Sequence, residues 1–265
     1  GVRTHLFRDV GAGVRLHMPG KRRGDGALLW IHGGGYVIGR AAQDDRFCAE
    51  AAAALGVPVV SVEYRLAPKH PFPAPLQDCV AAWDWLVESA WRLNIDPTRI
   101  AIGGQSAGGG LAAGLVQAVH DGGGHRPAAQ WLFCPMLDDR TAARRELDEV
   151  GHFVWNNKAN AFGWSAFLGG EPGAAKQPAY AAPARRKDLS GLPPAWIGVG
   201  DIDLFAEEDR LYAERLAAAG VEVTLVTVPG APHGFEAWAR TSSLAESMVG
   251  EARRWLGEQL GVSQA

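Results

Sequence analysis

Ser106 lies between two glycines in the pentapeptide 104–108, directly after an apolar run and before a helix-like segment. A serine in a Gly-x-Ser-x-Gly turn between a strand and a helix is typical of the nucleophile in acyl-transfer chemistry. The glycines let the chain reverse within a few residues and let another backbone segment pass close to the serine. Glycine-rich sequences also form ordinary turns, so the motif alone leaves both interpretations open. Ser106 is therefore the first candidate for a residue that carries chemistry.

A second glycine-rich segment lies upstream, where His32 and three glycines follow the apolar run 27–31. In acyl-transfer sites such a loop points backbone N–H groups at the oxygen that becomes negative in the tetrahedral intermediate. We therefore expect an oxyanion hole made by the N–H groups of Gly34, Gly35 and Ala107. We interpret His32 as a structural residue that braces the loop rather than as a proton carrier.

A serine nucleophile also needs a base, and the base needs a group that orients it. His233 lies in a loop after the β-branched run 221–228, and the expected chain order is serine, acid, histidine. The acid should follow the apolar run 195–199, where both Asp201 and Asp203 occur. We predict Asp203 as the acid, with Asp201 retained as the alternative.

The chain alternates short apolar, β-rich runs with longer helical patterns, which predicts a parallel sheet flanked by helices. The predicted strands are 27–31, 58–63, 99–103, 130–134, 195–199 and 221–228, after two short strands around residues 11–13. The predicted helices are 44–55, 75–90, 107–120, 204–219 and 242–260. Every candidate residue directly follows a strand, so all of them should meet at the carboxyl edge of the sheet.

The segment 137–192 interrupts this alternation and is long for a connection within a compact domain. We predict that it forms a cap over the site. Its aromatic residues could line an acyl pocket or form the core of the insertion itself, and both interpretations stay open. The predicted substrate-binding residues are Tyr36, Phe153, Trp155, Trp164 and Phe205. The mixed charges of 138–149 predict a solvated helix face.

These motifs together resemble the hormone-sensitive-lipase-like carboxylesterases of the α/β-hydrolase fold. The matching segments are HGGGY at 32–36, YRLAPKHPFPAPLQD at 64–78, GQSAGG at 104–109 and HGF at 233–235. The resemblance implies one α/β-hydrolase domain over 1–265 that hydrolyses short- to medium-chain acyl esters. It implies Ser106, Asp203 and His233 as the catalytic triad.

Three features depart from the pattern of that family. Gln105 stands where the serine turn usually carries aspartate, and Leu204 follows Asp203 where proline is more frequent. Only 31 residues precede His32, and they predict strands rather than a helical N-terminal lid. We therefore expect that lid to be absent.

Functions other than ester hydrolysis are also compatible with parts of the sequence. A dinucleotide-binding loop is suggested by Gly33, Gly35 and Gly39 after a strand, with Glu63 ending the next strand. A non-catalytic small-molecule receptor is a second alternative, although it would not need His233. The same triad would also cleave amides, carbamates or lactones.

The composition and net charge limit the kinds of partner that the protein can bind. The 265 residues carry a net charge of −3 with 21% charged residues, so no electrostatic feature favours nucleic acid, and no apolar run is long enough for a membrane span. Cys48, Cys79 and Cys134 are an odd number without metal-ligand spacing, which predicts reduced thiols, a cytoplasmic location and no metal or cofactor. The expected partner is a small ester, and a homodimer is compatible with the sequence.

Overall fold

The computed structural model describes residues 1–262 and contains one central sheet of eight strands. The strands are β1 (Val2–Phe7), β2 (Val14–Pro19), β3 (Ala27–Ile31), β4 (Val59–Val62), β5 (Ile100–Gln105), β6 (Gln130–Phe133), β7 (Ala195–Gly200) and β8 (Val223–Val228). Their order across the sheet is β1-β2-β4-β3-β5-β6-β7-β8. The pairs β1/β2 and β2/β4 are antiparallel and all other pairs are parallel. The parallel strands therefore end at one common edge.

Helices cover both faces of this sheet. They are α1 (Asp45–Leu55), α2 (Ala74–Glu88), α3 (Ala107–Gly122), α4 (Asp139–Ala143), α5 (Asn157–Leu168), α6 (Ala206–Ala218), α7 (Phe235–Trp238) and α8 (Ser243–Gln259). Four short 3-10 helices lie at Ala41–Asp44, Pro97–Arg99, Arg145–Glu149 and Pro183–Arg185. No helix within residues 1–262 is both long enough and apolar enough to cross a membrane.

Alternate side chains of the central strands supply two separate apolar cores. In β3, Leu28 and Trp30 pack with α1 and α8, whereas Leu29 and Ile31 pack with α2, α3 and α6 on the other face. Because both faces are covered, the central strands are apolar along their whole length instead of alternating with polar residues. This explains why the sequence shows them as continuous apolar runs.

The α/β fold expected from the sequence is confirmed, and the predicted strands and long helices differ from the observed ones by a few residues at their ends. One local expectation is wrong. The charged segment 138–149 is not a single solvated helix, because the chain breaks at Arg144 between α4 and a 3-10 helix. Asp139 is fully buried and accepts hydrogen bonds from Arg185 at 2.5 and 2.9 Å. The mixed charges of 138–149 did not reveal this partner, which lies 46 residues further along the chain.

Candidate active site

Ser106 occupies the sharp turn between β5 and α3, with a positive φ of 55°. The turn requires glycine at 104 and 108, because a side chain at either position would collide with nearby backbone atoms. A Cβ on Gly104 would lie 2.3 Å from the carbonyl oxygen of Gly108, and a Cβ on Gly108 would lie 2.1 Å from the carbonyl oxygen of Ile31. The packing around the turn thus holds Ser106 in a backbone conformation that residues other than glycine rarely adopt.

His233 lies between Ser106 and Asp203. Its Nε2 is 2.9 Å from Ser106 Oγ, and its Nδ1 is 2.8 Å from Asp203 Oδ2. All three side chains are buried. Asp203 Oδ1 accepts a second hydrogen bond, at 2.9 Å, from the backbone N–H of Phe205. The carboxylate is therefore fixed at both oxygens, which fixes the orientation of the imidazole ring.

Asp201, the alternative acid, does not reach His233 in this arrangement. Its side chain is exposed, and its Oδ1 accepts a 2.6 Å hydrogen bond from the backbone N–H of Gly230. Asp201 therefore ties the end of β7 to the loop that leads to His233. Of the two aspartates predicted from the sequence, Asp203 is the one in contact with the histidine.

The electrostatics of the site favour a histidine that readily accepts a proton. Burial lowers the pKa of His233, but the charge and hydrogen bond of Asp203, together with the charge of Glu236, raise it by more, so that the pKa lies above its ordinary value of 6.5. An imidazole that is buried yet paired with a carboxylate can take up a proton without leaving an isolated charge. This is the behaviour required of a general base.

The glycine loop lies directly beside the serine. A Cβ on Gly33 would be 3.4 Å from Ser106 Cβ, and Gly34 and Gly35 both have positive φ, of 127° and 58°. Within the described chain, the N–H groups of Gly34 and Gly35 donate to no protein acceptor. Ala107 is the first residue of α3, where backbone N–H groups have no partner inside the helix. The predicted oxyanion donors thus belong to the glycine loop beside Ser106 and to the first turn of α3 directly after it.

His32 supports the glycine loop, and its ring hydrogen-bonds to that loop rather than to Ser106. Its Nδ1 donates to the carbonyl oxygen of Gly33 at 2.8 Å, and its ring stacks on Tyr64 at 4.2 Å. Burial lowers the pKa of His32 to about 4, so the ring is neutral. These contacts favour the structural interpretation of this histidine.

Of the predicted substrate-binding residues, Trp155 and Phe205 both lie beside His233. A Cβ on Gly35 would lie 2.2 Å from the Trp155 ring, and the ring centre is 6.4 Å from that of His233. Trp155 is half-buried. Phe205 packs edge-on against His233 at 5.2 Å and is fully buried. Trp155 thus presents part of its ring surface beside the site, whereas the buried Phe205 packs against the His233 ring.

The other three predicted substrate-binding residues are not in this position. Tyr36 and Trp164 are fully buried and pack against Phe167, with Tyr36 stacked on it at 3.9 Å. The Phe153 side chain is 67% exposed. Since Tyr36 and Trp164 are fully buried, their positions favour a role in the hydrophobic core that the insertion shares with one face of the sheet.

Metal or dinucleotide chemistry fits this geometry less well. Cys134, Asp203 and His233 bring potential ligand atoms within 4.8 Å of one another. Burial, however, raises the pKa of the Cys134 thiol well above its ordinary value, and a metal binds the thiolate. Such a metal would also displace the hydrogen bond between Asp203 and His233.

The glycine loop does not lead directly into a helix. It is followed by a turn in which the backbone N–H groups of Val37 and Ile38 donate to the carbonyl oxygen of Gly34. A dinucleotide-binding loop needs the helix N-terminus at that point.

Comparison with known proteins adds independent information. A family model described as the α/β hydrolase fold matches residues 28–237. Esterase LipI of Mycobacterium tuberculosis is 37% identical over 214 residues, which are 80% of this chain and 66% of that protein. Ethyl acetate hydrolase of Pseudomonas putida is 34% identical over 226 residues, which are 84% of this chain and 70% of the relative. Among solved structures, a bacterial heroin esterase superposes with a TM-score of 0.91 at 39% identity, covering 98% of this chain and 84% of that one. The chain therefore spans about two thirds of the length of these two sequence relatives.

Proposed function

The chain belongs to the hormone-sensitive-lipase-like carboxylesterases of the α/β-hydrolase fold, and from this premise we propose that it hydrolyses carboxylic esters with Ser106 as nucleophile. In this proposal His233 is the general base and Asp203 orients it. The observation that carries the proposal is the continuous hydrogen-bonded chain from Ser106 Oγ through the imidazole to Asp203 Oδ2.

The first half of the proposed reaction forms an acyl-enzyme. Ser106 Oγ attacks the ester carbonyl carbon while His233 Nε2 accepts the hydroxyl proton. The carbonyl oxygen becomes negative in the tetrahedral intermediate and accepts hydrogen bonds from the N–H groups of Gly34, Gly35 and Ala107. When the intermediate collapses, the alcohol leaves with the proton carried by His233. The second half repeats these steps with water as the nucleophile and releases the acid and free Ser106.

Asp203 and the oxyanion donors act on charge that exists only during the reaction. The imidazolium forms next to a carboxylate that is already fixed by two hydrogen bonds, so little reorganisation is needed. Each oxyanion donor in such a site typically contributes about 100- to 1000-fold to the rate. Ala107 contributes through its backbone, so a side-chain change there should act mainly by steric damage.

The proposed substrates are short- to medium-chain acyl esters. The half-buried Trp155 ring lies against Gly35 and so narrows the space next to the predicted oxyanion donors. The ethyl acetate hydrolase among the relatives is named for a small ester. We propose that 137–192, which carries Trp155, is a cap inserted into a single hydrolase domain and limits the acyl length that the site accepts.

The cellular location and oligomeric state are separate proposals. The three cysteines are all buried and free, which supports a reducing, cytoplasmic compartment. We also propose a homodimer, to be checked by light scattering after size-exclusion chromatography. A measured mass near the 28.2 kDa of one chain would contradict the homodimer.

The decisive experiment compares native protein, Ser106→Ala and a matched control. We expect hydrolysis of p-nitrophenyl esters to be fastest with a short or medium chain among acetate, butyrate and octanoate and slowest with palmitate, and Ser106→Ala to lose several orders of magnitude in rate. The exposed Ser190 provides the control, because Ser190→Ala removes a hydroxyl outside the candidate site. Circular dichroism confirms folding of each variant.

Covalent labelling gives a second measurement of the same proposal. An organophosphate should add a single group to native protein and none to Ser106→Ala, as measured by mass spectrometry. Equal ester turnover by native protein and Ser106→Ala, together with failure to label, would refute the proposed nucleophile and favour a receptor.

A further inference from the structure

The side chain of Gln105 lies against two of the loops that build the candidate site, the glycine loop and the loop that carries His233. It directly precedes Ser106, and its Nε2 donates to Oε1 of Glu236 at 2.6 Å. A Cβ on Gly234 would lie 3.5 Å from Gln105 Nε2, and a Cβ on Gly33 would lie 3.4 Å from Gln105 Oε1. The Gln105 amide therefore lies between the loop that carries His233 and the glycine loop.

Glu236 connects this amide to His233. It lies three residues after His233 in the first turn of α7 and is only 5% exposed. A buried carboxylate needs a donor to remain charged, and the Gln105 amide supplies one. The directions in which the pKa values of Glu236 and His233 shift agree with this arrangement. Burial raises the pKa of Glu236 and the Gln105 hydrogen bond opposes that rise, while the charge of Glu236 raises the pKa of His233.

We propose that Gln105 and Glu236 are a pair of positioning residues, in which the amide clamps the base loop onto the nucleophile turn and holds a second carboxylate beside His233. This inference rests on the proposed function. A neutral amide donor also suits the position opposite Glu236. An aspartate at 105 would place two buried carboxylates side by side, and one of them would have to bind a proton.

Other charged and titratable groups face this pair, and any interpretation of pH effects must include them. Asp203 and His233 lie on one side, and the Cys134 thiol lies 4.0 Å from Glu236 Oε1. Asp44, Arg46 and Arg240 line a cavity of about 80 Å³ together with Gln105 and Glu236. Two variants of the pair itself separate its contribution from these neighbours.

Glu236→Gln removes the charge but keeps the size and an acceptor for Gln105. We expect the acid limb of kcat/KM to move down by about half a pH unit or more, because a nearby negative charge that favours imidazolium is lost. Gln105→Leu removes the donor but keeps the bulk. We expect kcat to fall about tenfold with KM changed less than threefold, since small displacements of a base cost rate rather than binding. The double variant should lose less than the product of the two single losses, because both act through one contact.

Glu222→Gln is the matched control. Glu222 is exposed and directly precedes β8, whereas His233 follows the far end of that strand. This variant should retain the native kcat and pH profile. If Gln105→Leu does not fold, Gln105→Ala replaces it with the same expected changes, and thermal melts confirm that each variant is native.

The outcomes separate this inference from the proposed function. If Glu236→Gln and the Gln105 variant match Glu222→Gln in kcat and in pH profile, the positioning role is overturned, even when Ser106→Ala is inactive. If Ser106→Ala is itself active, the proposed function fails and the pair has no reaction to support. A shifted acid limb with inactive Ser106→Ala supports both.

Discussion

Replacing Asp203 by asparagine tests the candidate site most sharply, because the structure dictates how the new side chain must orient. The Asp203 carboxylate accepts from His233 Nδ1 at one oxygen and from the backbone N–H of Phe205 at the other. An asparagine has only one oxygen. If its NH₂ faced Phe205, two donors would meet in a buried space, and each unsatisfied group there costs about 1–3 kcal/mol.

The asparagine should therefore keep its oxygen on Phe205 and turn its NH₂ toward His233. The imidazole can accept that hydrogen bond only by moving its own proton from Nδ1 to Nε2. A protonated Nε2 donates to Ser106 instead of accepting its proton, so the base is held in the wrong tautomer. In an unrelated serine protease the equivalent change lowers kcat about 10⁴-fold, which corresponds to about 5 kcal/mol in the activation barrier. We expect a loss of this order, with little change in KM.

Asp201→Asn provides the matched comparison for this prediction. The exposed Asp201 side chain accepts from the backbone N–H of Gly230, so the asparagine oxygen can replace the carboxylate oxygen and the rate should stay within about threefold. Steady-state hydrolysis of p-nitrophenyl butyrate measures both variants, with circular dichroism to confirm folding. A larger loss for Asp201→Asn than for Asp203→Asn would refute the assignment of the acid and the tautomer argument with it.

Three further predictions follow from the same geometry. Gly35→Ala would put a Cβ 2.2 Å from the Trp155 ring, so kcat/KM should fall about 100-fold as the oxyanion loop shifts, and adding Trp155→Ala should recover part of it; no recovery would contradict the steric cause. Because the pKa of His233 lies above 6.5 and the neutral ring is the active form, kcat/KM should decline as pH falls, with a midpoint above 6.5, whereas a midpoint well below 6.5 would show that the nearby carboxylates do not control the base. Asp139→Ala leaves Arg185 without its buried partner and should lower the free energy of unfolding by about 3–5 kcal/mol in urea denaturation, and a loss under about 1 kcal/mol would mean that this ion pair contributes little.

Much of the candidate site can be predicted from sequence because its backbone requirements are local. A sharp turn that carries a serine needs glycines at fixed spacing, and close approach of a loop to that serine needs more glycines. The turn around Ser106 and the loop after His32 are therefore visible as short patterns. The strands before them are visible because burial on both faces removes polar residues from the run. Fold class, strand order along the chain and the candidate nucleophile follow from these local rules.

Side-chain partners depended on the tertiary structure. Asp201 and Asp203 follow the same strand two residues apart, and only the turn after β7 buries one against His233 and exposes the other. The aromatic residues of the insertion look alike in sequence, yet Trp155 reaches the site while Trp164 fills the core.

The contact between Gln105 and Glu236 joins residues 131 positions apart and appears in sequence only as an unusual residue beside Ser106. The sequence by itself determined the backbone geometry and the chemical types available at the sheet edge. Which of those groups meet was decided by packing, because burial and hydrogen bonding depend on neighbours that are distant along the chain.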